Sequence, residues 1–251
     1  LDGVRSFIIE DAGSQLAAFE TKRIDTGGGT PTQQAELMAR YDGQMELVKF
    51  PAGGHSYILW NVRKPPFDDP KVRKAMYLWM DRAPFLEKSR DGRGFIMDWM
   101  NPNWNGGYGM TYDELVKNNI AYNPDKTEAR KKALEILDGA GWSKSDRAST
   151  KIDVMSRYTK GGSLRGNQVL AAQLQDMGWD AVLRSQERTA GLKALRAGDF
   201  MAAFYGGSAG LPSADATLNR YLSPTGQRNY TGISDPVFMK LLEEYNLTFD
   251  L

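Results

Sequence analysis

The chain has no cysteine and a single histidine, His55. Without cysteine there is no disulfide, no thiol nucleophile and no zinc–thiolate site. His55 follows Gly53-Gly54 in what reads as a turn and is assigned a structural role, which leaves no histidine for a Ser-His-Asp triad or a paired-histidine metal site. Acids are plentiful, yet none form a spaced pair suited to general acid and base work, so no catalytic residue is assigned. No apolar run approaches the ~20 residues that cross a bilayer. An excess of positive charge is missing too: the formal charge is +1, and Lys and Arg are scattered among nearly equal numbers of acids. Nucleic-acid binding would call for clustered positive charge with interleaved aromatics. The one dense run, Arg130-Lys131-Lys132, reads as the solvated face of a helix. What remains is an ordinary globular composition, 41% hydrophobic and 25% charged over 251 residues, enough to bury a sizeable core.

The stretch from 56 to 81, SYILWNVRKPPFDDPKVRKAMYLWMD, organises the rest. Tyr57, Leu59 and Asn61 alternate with Ile58, Trp60 and Val62, which predicts a strand. Pro65 and Pro66 should hold the chain straight as it leaves the sheet. Asp69 then suits an N-cap and Pro70 the first helical position, with Val72, Ala75, Met76, Trp79 and Met80 as one apolar stripe.

This block resembles the family 5 extracellular solute-binding proteins, the oligopeptide, dipeptide and nickel type binding components of ABC importers. The likeness lies in an asparagine closing a hydrophobic strand, then Pro-Phe-Asp-Asp, Val-Arg-x-Ala and an Asp-Arg after the helix. Three further blocks follow in the family's order. They are Tyr122-Asn-Pro-Asp-Lys with Gly139-Ala-Gly-Trp142, then Leu170 to Gly178, then Arg228-Asn-Tyr-Thr-Gly-Ile-Ser-Asp-Pro236. The resemblance implies an α/β fold: a periplasmic-binding-protein-like lobe of type II, cluster C type, with part of the adjoining lobe. Residues 1–50 would be part of the first lobe, a βαβ piece, and 51–251 the second lobe, truncated near its C-terminal end. Family members are considerably longer, so an internal or C-terminal fragment lacking one lobe is expected; that no signal peptide opens the sequence is uninformative.

In chain order, Val4 to Glu10 is expected as a strand, Gln15 to Lys22 as a helix presenting Leu16 and Phe19, and Arg23-Ile24-Asp25 as a short strand. Thr26-Gly-Gly-Gly-Thr30 lacks the Lys-Ser/Thr of a phosphate loop and reads as a connector. Thr30, Pro31 and Gln33 signal a capped helix, and Met45 to Phe50 alternates as a strand. Asp81 with Pro84 should restart a short helix through Lys88, and Asn123 with Pro124 should cap a helix running to Asp138. Strands at 152–156, 179–183 and 199–205 with intervening helices predict an α/β lobe. Asp235-Pro236 should start a last helix.

Ligands of such sheets bind beyond the carboxyl ends of the strands. The candidate ligand-binding residues are therefore Arg157, Tyr158, Tyr205 and Ser208 at strand ends. Trp104 joins them from the loop 95–108, which either borders the cleft or packs under its own tryptophans. By resemblance, peptide binders carry an aspartate after the last strand that pairs with the peptide's α-amino group. The matching position here falls near Gly210, a departure that puts ordinary peptide recognition in doubt. Asp215 either takes a shifted version of that role or N-caps a helix from Ala216 to Tyr221.

The resemblance implies a monomeric periplasmic binding protein that captures a peptide-like or other small polar solute between two lobes and hands it to membrane permease subunits. It implies no cofactor, no metal, no catalysis and no nucleic acid. A ligand-sensing lobe of a cytoplasmic transcription regulator is the alternative, and a hydrolase would need a nucleophile and base the chain does not show.

Overall fold

A computed structural model describes residues 3–9, 11–48, 53–104, 107–208 and 213–247. The chain divides into two compact units, Leu1–Phe50 and Pro51–Leu251.

The smaller unit holds helices α1 (Ala12–Glu20) and α2 (Pro31–Arg40). Asp11 caps α1 by accepting from Ser14 N at 2.7 Å. Thr30 and Gln33 close a reciprocal capping box on α2, as the sequence predicts. Leu16 and Phe19 are half-buried, and Leu37 is buried. The expected strands are not formed among the described residues at 4–9, 23–25 and 45–48. Alternation makes a strand only where another strand accepts it, and Val4 and Ile8 stand 84% and 95% exposed. Residues 10, 49 and 50 of these predictions lie outside the described residues.

The larger unit opens with β1 (Gly54–Trp60). The connector that follows turns instead of running straight: Phe67 N and Asp68 N both donate to Lys64 O, and the Pro65–Pro66 peptide is cis. Buried Asn61 anchors it, donating through Nδ2 to Gly198 O and Phe200 O, both at 2.9 Å, while Oδ1 accepts from Arg63 N. Helix α3 (Pro70–Trp79) then starts as expected, with Asp69 Oδ1 accepting from Lys71 N at 2.7 Å and Val72, Ala75, Met76 and Trp79 buried. Next come α4 (Ala83–Arg90), a capped α5 (Tyr112–Asn118) and α6 (Thr127–Gly139). Asn123 does not cap α6. It accepts from Asp125 N, and Asp125 accepts in turn from Thr127 N, so two successive side-chain turns delay the start.

Helix α7 (Lys144–Ser149) precedes β2 (Lys151–Ser156), α8 (Gly161–Asp176), β3 (Asp180–Ser185), α9 (Arg188–Ala197) and β4 (Ala202–Ser208). The last strand begins and ends three residues later than predicted, so Tyr205 lies within it and not at its end. Gly198 takes a left-handed φ of 70° to end α9, and Asp199 N still bonds back to Ala194 O. Helices α10 (Ala214–Leu222) and α11 (Pro236–Leu247) are the last elements among the described residues, the latter capped by Asp235, which accepts from Val237 N and Phe238 N. Asp215 is not an N-cap: Ser213 holds that position and Asp215 lies within the first turn.

The sheet order is β1-β4-β2-β3. β1 runs antiparallel to β4 from Gly54↔Ser208 to Trp60↔Ala202, and β2 is parallel to β3 and, through Val154↔Ala202, to β4. One face buries Ile152, Val154, Ala202 and Phe204 against residues of α3, α4, α6 and α8. The other gathers Leu59, Met155, Ala203 and Tyr205 with Leu195 of α9, Phe200 and Tyr230. That second face continues along β1 and β4 into the region where the candidate residues gather.

Candidate functional site

Strand alternation decides which side chains line this region. Because Tyr57 pairs with Tyr205 in register, both rings project from the same face, with centroids 5.5 Å apart. Two residues earlier, His55 pairs with Gly207 on that face. His55 is thus a strand residue, not part of a turn. Tyr221 of α10 meets the rings of Tyr57 at 5.1 Å and His55 at 5.2 Å, both edge-on. Trp99, from the irregular 95–104 loop, stands 5.5 Å from Tyr57 and is 37% exposed. Tyr230 meets Tyr205 edge-on at 5.5 Å. Such rings offer broad apolar area with few torsions to freeze, and the phenols leave polar tips.

Gly207 admits this arrangement, since a Cβ there would collide with the Tyr221 hydroxyl. The Tyr57 hydroxyl is buried with the Tyr221 hydroxyl beside it, but no well-formed hydrogen bond joins them. Burial, then the neighbouring tyrosines, push the Tyr57 phenol up. Burial likewise raises Tyr230, to about 12. Burial holds His55 below its ordinary value, with Arg228 adding to the depression against a Gly53 backbone bond, and its Nε2 has no hydrogen-bond partner.

Positive charge frames the aromatic floor. Arg157, just past β2, lays its guanidinium 4.3 Å over the Tyr205 ring and 5.0 Å over Tyr158, and Nη2 donates to Gly206 O at 3.4 Å. Arg228 donates to Tyr221 Oη at 3.4 Å. The loop carrying Arg228 and Tyr230 is tied by Asn229, which donates to Ser223 O and Ile233 O and accepts from Thr231 Oγ1 and Gly232 N. This is the physical content of the Arg228-Asn-Tyr-Thr-Gly block.

Of the sequence candidates, the structure brings Arg157, Tyr158 and Tyr205 into one stack. Trp104 is half-buried against Gly53, next to the start of β1, and Ser208 pairs through its backbone with Gly54 at the same end. Asp215 lies in the first turn of α10, where it adds to burial and Tyr108 in raising the Tyr245 phenol of α11. Gly210 lies outside the described residues. Sequence reasoning missed His55, Tyr57, Trp99, Tyr221 and Arg228. Tyr57 was recoverable from strand alternation alone, whereas Tyr221 and Trp99 reach the site through tertiary packing. Among the described residues no group of three or more His, Cys, Asp or Glu could hold a metal ion.

Residues 1–229 match the model of the bacterial extracellular solute-binding proteins, family 5 Middle. The chain belongs to that family. It is 28% identical over 195 residues to the probable deoxycholate-binding periplasmic protein YgiS of Escherichia coli strain K12, covering 75% of this chain and 34% of that protein. It is 24% identical over 245 residues to the periplasmic oligopeptide-binding protein OppA of Haemophilus influenzae, covering 94% and 42%. The crystal structure of Haemophilus influenzae OppA in complex with RPPGFSPFR superposes with a TM-score of 0.74 at 22% identity, over 96% of this chain and 46% of that one. That likeness establishes the periplasmic-binding-protein-like α/β fold. The chain spans less than half the length of these relatives.

Proposed function

We propose that the aromatic end of the β1–β4 sheet is one wall of a solute site in the binding component of a bacterial ABC importer. In this reading residues 51–251 form one lobe and residues 1–50 belong to the adjoining lobe. The protein captures a peptide-like or other small polar solute between lobes in the periplasm, acts as a monomer and delivers the solute to the membrane permease, breaking no bond. Trp104, Arg157, Tyr158, Tyr205 and Ser208 contribute to the wall together with Tyr57, Trp99 and Tyr221.

The observation that carries this reading is the Tyr57–Tyr205–Tyr221 cluster under Arg157, at the carboxyl ends of β2 and β4 in a member of this family. Open α/β sheets hold ligands at that end. The relatives above are named for deoxycholate and oligopeptide, consistent with a wall that accepts varied bodies. A good pocket buries roughly 70–90% of its ligand, which favours closure of a second lobe over this one.

Native mass spectrometry of the purified protein tests the proposal. A small solute released unchanged on denaturation supports it. Chemical turnover of the bound solute, or no bound solute and no binding of any peptide in a library, contradicts it.

A further inference from the structure

Arg63 lies past the end of β1 that is far from the aromatic region. Trp60 closes the strand three residues beyond Tyr57, roughly 10 Å along it, and the chain then enters the connector to α3. From there the Arg63 guanidinium divides its donors. Nε donates to Asn61 Oδ1 at 3.2 Å and Nη2 to Tyr230 O at 2.7 Å. The neighbouring Val62 N donates to Thr231 O at 3.0 Å. Two consecutive residues of the connector thus hold two consecutive carbonyls of the loop that carries Arg228 and Tyr230.

The fit around the guanidinium is close. A Cβ on Gly198 would come within 2.8 Å of Nη2, and one on Gly232 within 2.7 Å of Nε. Asn61, which orients Arg63, is itself fixed by its bonds to Gly198 O and Phe200 O. The other end of the loop is tied to α10: Arg228 N donates to Arg220 O at 3.0 Å and Asn229 Nδ2 to Ser223 O at 3.0 Å. The loop therefore spans from the helix bearing Tyr221 to the connector. Between these ties it sets the Tyr230 ring edge-on to Tyr205 and Arg228 Nη1 on the Tyr221 hydroxyl. Asn61 Oδ1 and Tyr230 O are neutral acceptors, so these bonds supply geometry and not charge neutralisation. A lysine, with one ammonium on a flexible stem, cannot span both.

Resting on the solute-binding reading of the aromatic region, we propose that Arg63 is a positioning residue of the solute site. It acts from beyond the far end of β1. By clamping Tyr230 O it fixes the loop, which sets Tyr230 behind Tyr205 and Arg228 against Tyr221, and so fixes the spacing of the wall that a solute meets. Residues that act without touching a ligand shift affinity by about two- to thirtyfold.

Hydrogen exchange and calorimetric titration of the parent, R63Q and R63K test this, with the tightest-binding peptide of the library as probe. R63Q should speed exchange over residues 228–233 by at least about tenfold, the effect of one lost charge-assisted hydrogen bond, and leave β2 and β3 at the parent rate. It should also weaken the peptide by about three- to thirtyfold at conditions where circular dichroism shows both proteins folded, a change that a purely structural role would not produce. R63K should fall between the parent and R63Q. Parental affinity in R63Q, or exchange that rises as much in β2 and β3 as in the loop, overturns the positioning role while solute binding stands. A parent that binds no peptide of the library overturns the solute-binding reading, and the role of Arg63 in it.

Discussion

Asn167 of α8 holds Phe204 of β4 by both of its backbone groups. Phe204 N donates to Oδ1 at 2.7 Å, and Nδ2 donates to Phe204 O at 3.0 Å. β2 pairs with β4 only at Val154↔Ala202, and the Asn167 amide takes up the next position of the ladder. A helix side chain thus carries strand geometry to the residue before Tyr205, and so fixes where the aromatic floor begins.

Asn167→Ala should therefore destabilise the fold by about 3 kcal/mol, since it leaves a buried N–H and a buried C=O without partners. Urea denaturation measures this. A midpoint unchanged from the parent would show that Phe204 finds other partners and that Asn167 does not position β4.

Tyr57→Phe should be neutral or stabilising by up to about 1 kcal/mol. The hydroxyl is buried without a well-formed hydrogen bond, so its removal relieves desolvation and spares the ring contacts. Thermal unfolding checks it, and a clear loss of stability would mean that the Tyr57–Tyr221 hydroxyl contact is a strong bond.

His55 is held below its ordinary value of 6.5, mainly by burial, so the folded state prefers the neutral ring and the unfolded chain binds the proton more readily. Its contribution to stability is fully present above pH 6.5 and declines as pH falls from there through the lower folded value. His55→Gln should flatten the loss of stability with acidification just below pH 6.5, in urea titrations run at several pH values. Parallel profiles for parent and variant would contradict this.

Asp69→Ala should cost about 1 kcal/mol through loss of the cap on α3, the bond from Lys71 N. An unchanged denaturation midpoint would count against the cap.

Elements whose signals are local were legible in the sequence. Asp69-Pro70, Thr30-Pro31-Gln33 and Asp235-Pro236 each start a helix where expected, because an N-cap acts on groups two or three residues away. The α/β class and the end of β2 just before Arg157 were legible for a related reason, since alternation and helix periodicity report burial directly. Strand boundaries and the smaller unit were not. Val4 and Ile8 alternate as a strand should, yet pairing depends on a distant partner that local pattern does not encode. Of the residues that gather here, Arg157, Tyr158 and Tyr205 were singled out from the sequence, the last by a strand end set three residues too early, whereas Tyr221 and Arg228 arrive from α10 and from a loop held by Asn229, through contacts distant in sequence.

Hydroxyl-radical footprinting with and without the tightest-binding peptide of the library tests most directly whether this end of the sheet is the solute wall. Binding should lower the oxidation of Trp99 and Tyr57 and leave unchanged that of half-buried Trp142, whose ring meets Trp179 at a tilt near the α6–α7 turn. Protection at Trp142 with none at Trp99 or Tyr57 would place the solute elsewhere and contradict the account.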